Sequence, residues 1–452
     1  MYHELLLPDL RMMLQEDDQA GMAEFCQVFH PAAVAEVLEL LDREQVWKVL
    51  SASPLPRQVE IFEFLSLAKQ VEFVDSIDRQ RLSRLLEEMA PDDRVDLLSR
   101  LDEQRVEALL PLIARAERND IRKLLSFPEN SAGAIMTTEY ASLPENISVG
   151  EAIDRLRRQA PNRETIYYVY ILGENRRLDG FVSLRDLILA RPSVPLSEII
   201  KREVISVRVD DDQEFVAQEL GRYDFIAIPV VDSQNQLVGI VTHDDVLDIV
   251  QEEASEDAYR AAAVEPLEDG YLDTRLTTIA WKRGVWLLFL SVMAMMTAEV
   301  LERYESVSAS HVWMVLFLPL VLASGGNAGS QSATIVIRTM AIGELSKGDN
   351  ARLLRREPLV GILLGACLAA VDFIVAYAWF GQSPTESGVL AATVFLVVMM
   401  GTVNGAMLPM LFKRLNMDPA LMSNPLIASL SDVLGVIIYY TVALLLLGAV
   451  SE

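Results

Sequence analysis

The strongest constraint on the fold is a series of five long apolar segments near the end of the chain. They run approximately over residues 284–301, 312–337, 359–380, 389–412 and 425–450. Each approaches or exceeds the length of about 20 residues with which a helix crosses a hydrocarbon core of roughly 30 Å. Five such segments in succession are hard to bury inside a large water-soluble protein, which is the alternative. The sequence therefore predicts an all-α membrane domain over residues 284–452.

Charge divides the chain of 452 residues into two chemically different parts. Residues 1–270 hold 28 Lys and Arg against 53 Asp and Glu, a formal charge of −25, whereas residues 271–452 hold 11 against 12. Such an excess of acid argues against a nucleic-acid partner, because phosphate backbones are bound by Lys and Arg. The two cysteines provide neither a disulfide framework nor a C-x-x-C metal site. The beginning of the chain lacks the pattern of a signal peptide.

The positions of the basic residues predict an orientation in the membrane. Lys and Arg precede the first apolar segment and lie between the second and third and between the fourth and fifth, whereas the opposite side holds only Arg303. Positive residues are retained in cytoplasmic loops. We therefore expect the acidic residues 1–270 to be cytoplasmic and the C-terminus to lie outside an inner or plasma membrane.

One carboxylate lies inside the last apolar segment. An Asp at the centre of a membrane helix, as expected for Asp432, costs about 2.5–3.5 kcal/mol, and no Lys or Arg shares its segment. A protonated Asp bonded to a neighbouring helix is one explanation, and a cation site is the other. Asn424 and Pro425 should break the start of this segment and free backbone carbonyls. Such oxygen ligands suit Mg²⁺ or Ca²⁺.

The second apolar segment contains residues that are unusual in a membrane helix. Pro319 and the glycines at positions 325, 326 and 329 are expected to interrupt it, and irregular backbone at membrane depth is tolerated only in protein or beside a watery cavity. Asn327, Ser330, Gln331 and Thr334 add neutral polar groups. The glycines alone could serve close helix packing. Together with Asp432, the pattern favours an ion pathway.

The cytoplasmic part begins with short amphipathic helical patterns separated by prolines. Three segments of this kind recur at loose spacing between residues 30 and 130. This recurrence predicts an α-helical superhelix of stacked repeats over residues 1–130.

From about residue 136, strands and helices alternate in two similar units. Each unit ends in the pattern G-x-x-S/T-x-x-D, with Gly180, Ser183 and Asp186 in the first and Gly239, Thr242 and Asp245 in the second. This duplicated α/β unit resembles a pair of CBS domains, at residues 131–202 and 203–251. In that family the hydroxyl and the carboxylate often contact an adenine nucleotide. Ser183, Asp186, Thr242 and Asp245 are therefore candidate ATP ligands, with helix capping as the alternative role of the hydroxyls.

A connecting helix is expected over residues 252–283, and carboxylates recur on it and on the domains before it. Such runs are commonly solvated surfaces. Facing carboxylates repel one another, however, and a divalent cation between them makes the contact attractive. The candidate regulatory metal ligands are Asp92, Asp93, Asp96, Asp212, Glu214, Asp224, Asp245, Asp248, Glu253, Glu256, Asp257 and Asp418.

Three motifs resemble the MgtE family of magnesium channels, and the order of the predicted domains resembles it over essentially the whole chain. They are SFPENSAGAIMTTEY at 126–140, GGNAGSQSATIVIRTMAIGEL at 325–345 and MDPALMSNPLIASLSDVLGVIIYY at 417–440. The resemblance implies a homodimer with the ion path on its two-fold axis, between the second and fifth spans of each subunit. Its implied pore residues are Asp432, Ala428, Asn424, Gly325, Gly326, Asn327 and Gln331. Asn424 and the Ala428-Ser429 pair depart from the common pattern, which leaves ion selectivity open.

The leading hypothesis is a Mg²⁺-selective uptake channel that closes when cytosolic Mg²⁺ binds the acidic domains. No Walker or kinase motif is present, so we do not expect an enzyme. One alternative is a CBS-regulated transporter of an anionic solute. Such a transporter would need a Lys or Arg near mid-membrane to bind the anion. A transporter of other divalent cations, such as Co²⁺ or Mn²⁺, is another, and a non-transporting receptor would give no role to Asp432.

Overall fold

The computed structural model describes residues 2–74, 77, 79–267, 270–272, 274–341, 349–415, 417–419 and 424–448. The chain forms two compact units, residues 1–250 and 251–452.

The described residues at the beginning of the first unit form ten α-helices, which confirms the predicted α-helical domain. Acidic side chains fix several helix starts: Asp42 accepts from the Gln45 N–H at 2.9 Å, and Asp102 from the Arg105 N–H at 3.0 Å. The helices are α1 (Tyr2–Glu16), α2 (Gln19–Val28), α3 (Pro31–Leu38), α4 (Arg43–Leu50), α5 (Leu55–Glu63), α6 (Leu67–Val74), α7 (Arg79–Glu88), α8 (Pro91–Ser99), α9 (Glu103–Leu109) and α10 (Arg115–Leu124).

A repeat of 24 residues underlies the stacking of these helices. Glu39, Glu63 and Glu87 each accept a backbone N–H 27 residues further on, from Ser66, Ala90 and Ala114, at 2.6, 2.9 and 3.1 Å. Each glutamate thus fixes the turn that begins a later helix. The repeat is more regular than the loose spacing of the apolar residues indicates.

Two small sheets of identical topology follow. In each, the outer strand is parallel to the central strand and the third strand is antiparallel to it. The first unit contains β1 (Tyr140–Leu143), α11 (Val149–Gln159), β2 (Thr165–Leu172), β3 (Leu178–Ser183) and α12 (Leu184–Leu189). The second contains β4 (Val207–Arg208), α13 (Gln213–Arg222), β5 (Ala227–Val231), β6 (Leu237–Thr242) and α14 (His243–Ala261). Short 3₁₀ turns lie at Leu110–Leu112, Ala160–Asn162, Glu174–Arg176 and Leu196–Glu198.

The glycine of the duplicated motif has a packing role in both sheets. A Cβ on Gly180 would lie 2.8 Å from the Lys201 carbonyl oxygen, and one on Gly239 would lie 2.7 Å from that of Thr137. The segment that flanks each sheet therefore lies too close for a side chain. The two sheets share a core in which the Tyr140 hydroxyl donates to the Leu237 carbonyl at 3.1 Å.

The second unit contains the end of α14 and the five predicted membrane helices. Among the described residues, five helices are long and apolar enough to cross a membrane, which confirms their number. They extend beyond most of the predicted limits because polar turns continue them. The helices are α15 (Leu276–Arg303), α16 (Glu305–Ser310), α17 (Trp313–Ala341), α18 (Asn350–Ala378), α19 (Pro384–Arg414) and α20 (Asn424–Leu447), of which α16 is a short turn between spans.

The predicted interruption of the second span is wrong. α17 is continuous through Pro319 and its glycines, and only Gly381 and Gly448 have positive φ among the described glycines. The glycines instead permit close packing. A Cβ on Gly329 would lie 2.9 Å from the Ile427 Cγ2 atom and 3.2 Å from the Gly401 carbonyl oxygen. Membrane helices tolerate Pro and Gly when neighbouring helices pack around them.

This packing predicts that Gly401→Ala lowers stability. Its Cβ would meet the backbone of α17, 3.2 Å from the Gly329 nitrogen, and overpacking of this kind costs about 1–3 kcal/mol. Gly388→Ala on the same helix is the matched control, because no heavy atom of the described residues lies within 4 Å of the new Cβ. Thermal unfolding of the full chain in detergent should show a lower midpoint for Gly401→Ala alone. Equal midpoints would contradict the close approach of α17 and α19.

Candidate functional site

Asp432 lies near the middle of α20, and its side chain is half-buried. Within the described residues, no hydrogen bond or ion pair involves its carboxylate. The preceding hydroxyl, that of Ser431, is fully buried and also has no hydrogen-bond partner there. Among the described residues of the single chain, the neighbouring helices therefore supply no acceptor for the O–H of a protonated Asp432. A mid-membrane carboxylate without a partner needs a cation or water.

α17 carries a polar stripe that is exposed in the single chain. Asn327, Gln331, Thr334 and Arg338 follow helical spacing on one face, and all four are exposed. An exposed polar stripe on a helix of this length cannot face lipid without cost. It requires water or another protein surface.

The start of α20 packs against this part of α17. The Ser330 hydroxyl donates to the Asn424 carbonyl at 3.3 Å, and the Thr334 hydroxyl donates to the Asn424 side-chain oxygen at 3.2 Å. One helical turn later, a Cβ on Gly326 would lie 3.3 Å from that of Ala428. The structure thus brings Asn424, Ala428 and Gly326 together.

Two other candidate pore residues lie elsewhere on α17. Gly325 is buried against Val397 of α19, and Gln331 lies on the exposed stripe with Asn327. The glycine and the stripe therefore occupy different sides of the helix.

A cluster of carboxylates lies where the helical repeats meet the CBS pair in the first unit. Asp92 and Asp93 begin α8, Asp245 begins α14, and Glu164 precedes β2. Burial and nearby carboxylates raise the pKa of Asp93 to about 8 and that of Glu164 to about 7. Burial and the Asp245 charge also raise the pKa of Asp92. Negative charge is thus poorly compensated in this acidic cluster.

The acidic cluster contains five predicted residues and three that the sequence did not single out. Asp96 and Asp248 add their charges to those of Asp93 and Asp245. The missed members are Glu63, Glu139 and Glu164, each of which acts electrostatically on others of the group. These three residues come from distant parts of the chain. Only Glu63 could have been found from the sequence, because glutamates recur every 24 residues at positions 39, 63 and 87.

The donor set fits a hard divalent cation, although the carboxylates are not arranged around one. Asp92 Oδ1 is buried without a hydrogen-bond partner in the described structure. Among all described residues, no group of three or more Asp, Glu, His or Cys side chains has the arrangement of a metal site. A cation would draw these carboxylates together from a repulsive arrangement.

Three predicted regulatory residues lie outside the acidic cluster. Asp212 caps α13 by accepting from the Glu214 N–H at 2.9 Å, and Glu214 accepts from the Gln218 side chain at 3.2 Å. Asp224 follows α13 in a left-handed conformation, with φ of 52°. The first two therefore have local structural roles.

The remaining predicted ligands lie in the second unit, three at the end of α14 and Asp418 after α19. Arg260 forms ion pairs with Glu256 on the same helix and with Asp418 in the segment after α19. Burial raises the pKa of Asp257, and Glu253 adds to the rise. A guanidinium thus occupies the position between Glu256 and Asp418 where the sequence predicted a metal.

The two CBS units enclose an aromatic cleft. It is lined by Tyr168, Tyr170, Phe181, Val204, Ile205, Phe225, Ala227 and Pro229. At its side the Lys201 ammonium lies 5.7 Å from the centre of the Phe181 ring and pairs with Asp186 at 2.9 Å, which lowers the pKa of Asp186. Aromatic rings, a cation and a carboxylate have the chemistry of a nucleotide site, but the cavity of about 20 Å³ between the rings must widen to admit a base.

The four predicted nucleotide ligands also have structural roles. Ser183 caps α12 by accepting from the Asp186 N–H at 3.1 Å. The Thr242 hydroxyl donates to Asp245 Oδ2 at 2.6 Å, and Asp245 belongs to the acidic cluster. Helix capping is therefore the role that the structure shows for the Ser183 hydroxyl.

The raised pKa of Asp93 predicts a stability that falls with rising pH. The usual pKa of Asp is about 3.9, so between that value and about 8 the folded chain holds more protons than the unfolded chain. Stability is then lost as pH rises through this interval. Asp93→Asn should raise the free energy of unfolding by about 1–3 kcal/mol at pH 8 without divalent cations.

Denaturant unfolding of residues 1–250 in EDTA, followed by circular dichroism from pH 5 to pH 8, measures this effect. Asp212→Asn is the control, because Asn caps a helix as well as Asp does. A pH dependence that is unchanged by Asp93→Asn would contradict the uncompensated charge at this position.

Family models match most of the helical repeats, the CBS pair and the last four spans. Residues 318–442 match the MgtE model, described as a divalent cation transporter, and residues 29–130 match the MgtE intracellular N domain. Residues 132–193 and 196–252 match the CBS domain, which confirms the predicted pair.

Curated relatives and solved structures are similar to this chain over the same domains. The magnesium transporter MgtE of Thermus thermophilus is 38% identical over 99% of this chain and 100% of its own length. That of Bacillus subtilis is 36% identical over 72% of this chain and 71% of its own length. A crystal structure of the cytosolic domain of the Mg²⁺ channel MgtE in complex with ATP matches 54% of this chain, and all of that domain, with 38% identity and a TM-score of 0.52. The soluble part of a magnesium transporter matches 56% of this chain and 99% of its own, with 33% identity and a TM-score of 0.53. The chain belongs to the MgtE family of magnesium transporters.

Proposed function

We propose that the chain forms a Mg²⁺-selective uptake channel in the inner or plasma membrane, with Asp432 in its ion path. The observation that carries this proposal is the mid-membrane carboxylate of α20, which has no partner in the described structure. Mg²⁺ dehydrates reluctantly and is commonly bound through few carboxylates and several waters. A single Asp per chain beside neutral polar groups fits such a hydrated ion.

The ion path lies between two copies of the chain. The exposed stripe of Asn327, Gln331 and Thr334 supports this, because a second copy would cover it and enclose the water that it requires. A two-fold dimer would also bring two Asp432 carboxylates to one axis. The stripe, Asn424, Ala428 and Gly326 then belong to this region, whereas Gly325 packs against α19. The C-terminus lies outside.

Cytosolic Mg²⁺ closes the channel by binding the acidic cluster and the end of α14. Carboxylates with raised pKa values support this because a cation relieves their repulsion. Mg²⁺ that binds the closed form more tightly shifts the equilibrium toward it. The members proposed for these sites are Asp92, Asp93, Asp96, Asp245, Asp248, Glu253 and Asp257, with Glu63, Glu139 and Glu164 added. Glu256 and Asp418 are left out because they pair with Arg260.

ATP occupies the aromatic cleft of the CBS pair. The cleft offers rings for an adenine base. The paired Lys201 and Asp186 lie beside the Phe181 ring and supply a cation for a phosphate and a carboxylate for a ribose hydroxyl. The ATP complex of the related cytosolic domain supports this assignment. It gives the nucleotide a binding role, without hydrolysis.

An anionic solute is disfavoured as the transported species. In the described parts of the five spans, Lys and Arg occur only toward the helix ends. The field at mid-membrane is therefore negative.

Asp432→Ala should abolish Mg²⁺ uptake, because the path loses its carboxylate. Asp372→Ala on α18 is the matched control, since it removes the other mid-span Asp and leaves α20 intact. Uptake into proteoliposomes is followed with an entrapped Mg²⁺ dye, and size-exclusion chromatography checks assembly. Retained selective uptake by assembled Asp432→Ala would refute the pore assignment.

Neutralising the acidic cluster should weaken closure by cytosolic Mg²⁺. For Asp92→Asn/Asp93→Asn/Asp245→Asn we expect about a tenfold rise in the half-closing Mg²⁺ concentration, a typical coupling between sites. The matched control is Asp42→Asn/Asp102→Asn/Asp212→Asn, which removes the same charge from three helix caps and keeps them capped. An equal shift in both variants, or a shift in neither, would contradict regulation at the cluster.

A further inference from the structure

One long face of α18 is exposed along almost its whole length. Leu359, Leu363 and Ile374 are 61, 72 and 62% exposed, and helical spacing places them on one stripe with Cys367 and Ala370. By contrast, α19 is central: 56% of its most apolar stretch is buried, against 17% for α18. The stripe therefore has no protein partner among the described residues of the single chain.

Three arginines extend the same face at the beginning of α18. Arg352, Arg355 and Arg356 lie in its first two turns and are all exposed. No Asp or Glu oxygen of the described residues lies within 4.0 Å of their guanidinium groups. These three arginines therefore have no ion pair within the described residues, in a chain with 65 acidic and 39 basic residues. By the five-span topology of the proposed function, this helix end is cytoplasmic.

We propose that this face of α18 binds an anionic phospholipid, such as phosphatidylglycerol. A guanidinium matches the oxygens of a phosphate with two parallel hydrogen bonds. The apolar stripe begins one turn beyond the arginines, so acyl chains can lie along it while the headgroup stays at the interface. Clusters of basic residues at the cytoplasmic end of a span attract anionic headgroups.

A second copy of the chain fits this face poorly. A two-fold interface brings the same patch of both subunits together. Two copies with the same orientation in the membrane would then oppose arginine to arginine. Charge complementarity therefore favours a lipid.

The test compares lipid binding by the full-length chain and two variants of equal charge. The delipidated protein in detergent is titrated with phosphatidylglycerol or with phosphatidylcholine of the same acyl chains, and bound lipids are counted by native mass spectrometry. Arg352→Gln/Arg355→Gln/Arg356→Gln should weaken the tightest phosphatidylglycerol binding by about fivefold for each arginine removed. Phosphatidylcholine should bind weakly to every form.

Arg283→Gln/Lys413→Gln/Arg414→Gln is the matched control, because it removes three exposed positive charges from other helix ends on the same side. This control should keep the tightest phosphatidylglycerol site. An equal loss in both variants, no loss in either, or equal binding of phosphatidylcholine would overturn the proposal, as would a change of oligomeric state without loss of lipid. If the triple variant does not fold, Arg352→Gln and Arg356→Gln test it singly. Mg²⁺ uptake by Asp432 variants tests the proposed channel independently.

Discussion

Buried negative charges that repel one another are the constraint on which the rest of the structure depends. Carboxylates stabilise a protein when they cap helices or pair with bases, and Asp42, Asp102 and Asp212 do so here. The acidic cluster differs, because burial and mutual repulsion act on its members together. Folding holds these groups near one another at a cost, which the Mg²⁺ of the proposed function would remove. Asp432 is also a carboxylate without a partner in the described structure, and an unpaired charge costs more free energy in the membrane than at a water-exposed surface.

The sequence predicted the features that depend on local pattern. Five apolar segments, the duplicated CBS unit and the amphipathic repeats each carry their signal within a few tens of residues, and the structure and the family models confirm them. The periodicity of apolar residues indicates the buried face of a helix, but it does not indicate hydrogen bonds between helices. The bonds from Glu39, Glu63 and Glu87 to later turns were therefore missed, although they follow a strict repeat.

Contacts between distant segments could not be predicted in the same way. Glu139 and Glu164 join the acidic cluster only because the CBS pair folds against the helical repeats within the first unit. Arg260 takes the place between Glu256 and Asp418, which no spacing indicates. The glycines of α17 were misinterpreted as helix breaks, because composition does not distinguish a broken helix from one that packs closely on Gly401 and Ile427.

The central claim is that one ion is both the transported species and the signal for closure. Single-channel recording from inside-out patches at fixed voltage tests it most directly, because open probability does not depend on the Mg²⁺ gradient. The account predicts that open probability falls as Mg²⁺ rises on the cytoplasmic side and is retained when NaCl supplies the same ionic strength. An open probability that does not change with cytoplasmic Mg²⁺, or that falls equally when NaCl replaces Mg²⁺ at the same ionic strength, would contradict it.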